Sequence, residues 1–196
     1  MSTAVRWTSA DLAGFPDDGK RREIIDGELY VSHQPHYYHQ LIGDEVVSAL
    51  NAWGRPHRAG RAVSAPGLIF SPEDDVAPDV VWTSTARLSH ILSGGKLYAA
   101  PEIVVEILSP GKRNIARDRE AKRKLYSRYG VREYWIVDWV ARTVEVYRRA
   151  GEQLALAATP LAGDTLTSPL LPEFILPLAE LFAAIPVGAT HADDPE

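Results

Sequence analysis

Asp79, Glu106 and Lys122 are the residues of this 196-residue chain whose types and order suggest chemistry. Glu106 interrupts the otherwise apolar run IVVEIL at positions 103–108. A run that short and that rich in Ile and Val reads as a strand buried on both faces. An ionised carboxylate in such a place needs a partner, because burying it alone costs several kcal/mol. A second carboxylate, Asp79 in VAPDVVW, follows a proline at the start of another short apolar run. Two carboxylate oxygens, with a backbone carbonyl and waters, suit a hard divalent cation such as Mg²⁺. Such a cation stabilises charge on a phosphate and lowers the pKa of a bound water. A lysine beside it stabilises a phosphorane-like transition state or orients the attacking water. Together these groups are the minimum equipment for hydrolysing a phosphodiester.

The elements that position them follow from periodicity. In a strand, alternate residues share a face, so Val104, Glu106 and Leu108 point one way while Ile103, Val105 and Ile107 point the other. After the break Ser109-Pro110-Gly111, the spacing predicts a helix over 114–129, capped by Asn114 and closed by Gly130. At 100° per residue its apolar stripe is Ile115, Leu125, Tyr126 and Tyr129. Lys122, seven after Ile115 and four before Tyr126, lies within that stripe and turns inward, towards Glu106. Lys124 and Arg117 fall on the opposite face and Arg123 to one side. Asp118, four before Lys122, either joins the inward group or forms a helix pair worth about 0.2–0.5 kcal/mol.

Elsewhere Thr8 and Asp11 mark a short capped helix at 9–13. Asp26–Gly27 marks a hairpin between strands at 22–25 and 28–31. Helical spacing covers 36–53, stopped by Gly54 and Pro56. Further strands are expected at 62–70, 79–83, 133–137, 143–147 and 153–158, a turn at 71–75, and a short helix or loop at 86–92. A last short helix covers 177–182. These elements predict a mixed α/β chain, a single domain over 1–196 with its core at about 8–185 and a frayed tail from 186.

Composition narrows the classes. At 45% hydrophobic and 24% charged the chain belongs with ordinary globular proteins. No apolar run approaches the roughly 18 residues that span a bilayer. The start, MSTAVRWTSADLAG, lacks the parts of a secretory signal, so an intracellular, cytoplasmic location without membrane contact is expected. Cysteine is absent, which excludes disulfides and thiolate catalysis. The net charge of −5 argues against a nucleic-acid partner, yet positions 112–132 hold nine basic and two acidic residues. That segment is +7 and the remainder −12, so a local basic surface could meet a phosphate backbone.

The order Asp79, Glu106, Lys122 resembles the PD-(D/E)XK nuclease superfamily. The longer pattern RREIIDGELY, His39 on the first long helix, APDVV, VVEILSP and the series Asp118, Lys122, Tyr126, Gly130, Val131, Glu133, Tyr134, Trp135 resembles its bacterial putative restriction endonuclease family over about residues 8–185. The superfamily's lysine usually stands two after the glutamate, where this chain has Leu108; the family moves it to the helix, in agreement with Lys122. The resemblance implies a restriction-endonuclease-like fold, a central mixed β-sheet flanked by helices. It also implies a Mg²⁺ or Mn²⁺ site at Asp79 and Glu106, a catalytic Lys122, and a homodimer. The expected function is endonucleolytic hydrolysis of DNA, with the Ile107 carbonyl as a further metal ligand. Glu23 and His39 are accessory candidates. The alternative is a catalytically inactive DNA- or protein-binding module on the same fold. His33, His36 and His39 have a tolerable zinc spacing, but Pro35 interrupts it. Gly94-Gly95-Lys96 lacks the spacing of a phosphate-binding loop.

Overall fold

The apolar run that carries Glu106 becomes a central strand in the computed structural model, which describes residues 5–190. Strands and helices are numbered in chain order. The central sheet is ordered β12 (Gln153–Ala158), β11 (Thr143–Ala150), β10 (Glu133–Asp138), β9 (Ile103–Ile107), β6 (Val80–Ser84) and β3 (Gly60–Ser64). Within it β9 and β10 run parallel and the other neighbours antiparallel. A second sheet is ordered β2 (Glu28–Ser32), β1 (Arg21–Ile25), β5 (Asp74–Val76), β4 (Leu68–Ser71), β8 (Lys96–Leu97) and β7 (Leu92–Ser93). A third sheet pairs β13 (Thr165–Ser168) with β14 (Leu171–Pro177). The helices are α1 (Ser9–Leu12), α2 (Tyr37–His57), α3 (Thr85–Ile91), α4 (Lys112–Ala116), α5 (Arg123–Tyr129) and α6 (Leu178–Leu181). A π-helical segment, Arg117–Lys122, fuses α4 to α5.

The alternation expected of β9 divides the interior. Ile103, Val105 and Ile107 join Ile42, Val46 and Leu50 of α2 and the C-terminal Phe174, Leu178 and Phe182 in one apolar cluster. Val104 and Leu108 join Leu125 and Tyr126 of α5, Ile25 of β1 and Val76 of β5 in another. The sheet is thus covered on both faces, which is why its middle strands are nearly all apolar. Glu106 enters the second layer, between the sheet, α5 and β1.

Several expected boundaries move. The strand expected at 62–70 is two strands in different sheets, because Ala65 takes a left-handed φ of 45° and Pro66 cannot continue a ladder. The turn expected at 71–75 is shorter, and Asp74 already opens β5. Helix α2 continues past Gly54 and Pro56 to His57 and ends with Arg58 left-handed. Gly54 is kept there by close packing: a Cβ would lie 3.0 Å from the Gly60 carbonyl oxygen. Pro56 removes one hydrogen bond from the last turn only. The β7–β8 and β13–β14 pairings were not expected from the sequence. Of the expected tail, residues 191–196 lie outside the described residues. Among the described residues no helix is long and apolar enough to cross a membrane.

Candidate active site

β6 delivers Asp79. It runs antiparallel to β9 with Val80 opposite Val105, so the register carries Asp79, one residue earlier, to the level of Glu106. The contact follows: the Ile107 peptide N–H donates to Asp79 Oδ2 at 2.8 Å. Helix α2 brings His39, whose Nε2 lies 3.2 Å from the same oxygen. Strand β1 brings Arg21, which donates to Asp79 Oδ1 at 2.9 Å.

The π-helical segment delivers Lys122. Its side chain is 1% exposed, and its Nζ lies 3.0 Å from Glu106 Oε2 and 3.0 Å from Glu23 Oε1. These are ion pairs by distance rather than well-aligned hydrogen bonds. Asp118 Oδ1 is farther, at 3.9 Å, and is held instead by Arg117 Nε at 2.9 Å. The hydroxyl of Tyr126 donates to Glu106 Oε1 at 2.7 Å. Glu23, on β1, also accepts the Ala77 peptide N–H at 3.0 Å. Asp79, Glu106, Lys122, Glu23, His39 and the Ile107 backbone are therefore all brought together.

Electrostatics follow from the inventory. Four buried carboxylates, Glu23, Asp79, Glu106 and Asp118, face three permanent cations, Arg21, Arg117 and Lys122. One ammonium cannot neutralise both Glu23 and Glu106. Burial raises the Glu106 carboxyl, Lys122 pulls it back, and Asp79, Asp118 and Glu23 push it up again, to about 8. Asp79 moves the other way: burial opposes its ionisation, but His39, Lys122 and Arg21 hold it below the usual carboxylate range. Burial disfavours charge on His39, yet Asp79 raises it overall. Lys122 likewise stays charged, since Glu106 and Glu23 outweigh burial.

A family model described as "Putative restriction endonuclease" (Uma2) matches residues 10–179. The chain belongs to this family. No curated protein matches it. Among solved structures, a putative nuclease belonging to DUF820 from Anabaena variabilis ATCC 29413 aligns with TM-score 0.71 and 22% identity. The alignment covers 90% of this chain and 97% of that one, so the two share a fold. The type IIG restriction endonuclease BpuSI aligns with TM-score 0.43 and 14% identity, over 78% of this chain and 17% of its own. The mixed sheet flanked by helices is thus a restriction-endonuclease-like fold.

Within this family member, the expected outward face of the helix needs one correction. Arg117 is buried rather than exposed, because the π-helical turn inserts an additional residue and shifts the phase of everything before it. Arg21 and Tyr126 were not read as site residues. Arg21 could have been found by its i, i+2 spacing from Glu23 on one strand, whereas Tyr126 was hidden inside an apolar stripe. The three histidines do not assemble: His33 is exposed, and His36 accepts the Tyr38 N–H and stacks on Trp139. Among the described residues no three His, Asp or Glu side chains are grouped as a metal cage. Two hard carboxylates nonetheless fit a cation such as Mg²⁺, which keeps several of its waters and needs only one or two protein carboxylates.

Proposed function

We propose that this chain is a divalent-metal-dependent endonuclease that hydrolyses DNA phosphodiester bonds. The observation that carries the proposal is an ammonium with no solvent contact, clamped between Glu23 and Glu106 beside the Asp79 carboxylate. A surface ion pair contributes little to stability, and a buried one is often no better than an apolar pair. A cluster this charged in a core is thus poorly explained by stability alone. In the proposal Asp79, Glu106 and the Ile107 carbonyl hold Mg²⁺ or Mn²⁺. When bound, the cation supplies charge stabilisation at the phosphate and a water of lowered pKa.

The chain's own residues have separate tasks. Lys122 supplies a fixed positive charge that acts on the scissile phosphate through its field, from beneath the carboxylates rather than by contact. Glu23 keeps that ammonium oriented from the side opposite Glu106. The Ile107 N–H and His39 fix the rotamer of Asp79, and the Tyr126 hydroxyl fixes that of Glu106. Glu106 must release its proton before it can bind a cation. A homodimer belongs to the same proposal, because a duplex presents two strands to cut.

The test is nicking of supercoiled plasmid in Mg²⁺ or Mn²⁺ by the wild type, Asp79→Asn and Lys122→Met. Loss of one partner of a buried pair destabilises by about 3–5 kcal/mol, so each variant's fold is checked by circular dichroism at the assay temperature. Folded variants should cut at least about 100-fold more slowly. Equal rates in all three proteins would refute the assignment. Metal and DNA binding without cutting by the wild type would favour a non-cutting module on this fold.

A further inference from the structure

Arg21 is the most exposed member of the candidate site. Its side chain is 33% exposed, against 1% for Lys122 and Glu106 and 2% for Glu23. The contacts to Asp79 are unevenly shared. The Ile107 N–H and His39 both meet Oδ2, whereas among the described residues Arg21 is the partner of Oδ1. Arg21 and Glu23 are alternate residues of β1 and so share a face. One strand thereby supplies both the carboxylate that clamps Lys122 and the cation that meets Asp79. Lys122 and Arg117 are locked among buried carboxylates, whereas among the described residues Arg21 is ion-paired with Asp79 alone and is one-third exposed.

We propose that Arg21 is an exchangeable counter-ion and a phosphate-positioning residue. Without metal, its guanidinium donates to Asp79 Oδ1 at 2.9 Å and occupies that oxygen. With a divalent cation held by Asp79, the guanidinium would be released at the exposed edge of the cluster, where its planar fork matches two phosphate oxygens. The cluster would then exchange one internal cation for the metal and direct the displaced charge onto the substrate backbone. This inference rests on Asp79 being a metal ligand.

The experiment compares wild type, Arg21→Gln and Arg21→Lys. Mn²⁺ binding is titrated without DNA, and binding of an uncut duplex is measured in Ca²⁺ over a range of salt. Arg21→Gln should bind Mn²⁺ about threefold or more tightly, because a competing positive charge is gone. Its duplex affinity should fall, with the salt slope reduced by about 1. Arg21→Lys, which keeps the charge without the fork, should restore the salt slope but not the full duplex affinity. Unchanged or weaker Mn²⁺ binding by a folded Arg21→Gln, or unchanged duplex binding, would overturn the exchange. If the wild type binds no Mn²⁺, or Asp79→Asn binds it as the wild type does, the metal assignment itself fails and this inference falls with it.

Discussion

Glu106 is the residue whose charge the fold balances least, since among the described residues the cation paired with it, Lys122, is shared with Glu23. A carboxyl raised by burial, against the opposing pull of Lys122, to about 8 stabilises the fold fully below the ordinary carboxylate range. That contribution is lost as pH rises through about 8. Metal-free protein should therefore weaken between about pH 4.5 and 8, and Glu106→Gln should flatten the trend, as measured by urea melts. Metal reverses the sign. Because the cation takes the proton's place, Mn²⁺ affinity should climb with pH up to about 8 and level off above it. A pH-independent affinity would remove Glu106 from the ligand set. Asp79, held ionised by its three neighbours after overcoming burial, should contribute no such dependence in this range.

At the scale of elements, two local irregularities position the cluster. The π-helical turn Arg117–Lys122 lets Arg117, Asp118 and Lys122 all face inward, which a regular helix does not allow for residues one and five apart. The left-handed Ala65 ends β3 in one sheet so that β4 can start in another, and its peptide N–H donates to the Asp79 carbonyl at 3.0 Å. This turn anchors the segment that presents Asp79. Alanine is strained in that conformation and glycine is not. Ala65→Gly should therefore raise stability by about 0.5–1 kcal/mol, once the added freedom of the unfolded chain is offset, as read from thermal denaturation. A destabilised variant would show that the strain is not held at this residue.

Across the whole molecule, charge is segregated. The chain carries −5, yet the segment 112–132 is strongly basic, and Lys112, Arg113 and Lys124 are exposed on it. Arg113, Arg117 and Lys124, with Tyr30, Glu28 and Glu120, line a cleft of about 270 Å³ between β2 and the helix. Arg117 connects that cleft to Glu23 and hence to Lys122. A duplex held along this face should release counterions from it. Replacing Lys112, Arg113 and Lys124 together by Glu should lower the salt slope of DNA binding by about 2–3 while leaving the melting transition nearly unchanged. An unaltered slope would put the duplex elsewhere on the surface.

Legible in the sequence were the strand that buries Glu106, the inward placement of Lys122, a short apolar strand beginning at Asp79, which in the fold begins one residue later, and the hairpin that carries Glu23. Each rests on a short-range rule: apolar alternation, helical spacing, a proline before a strand, an Asp–Gly turn. The tertiary structure alone decided that Glu23 and Glu106 share one ammonium, that Arg117 turns inward, and that Arg21 and His39 both hold Asp79. Those contacts join positions far apart in the chain, and one depends on an irregular helical turn. No local pattern encodes them; they arise only when two sheets and two helices pack their charged residues into one layer.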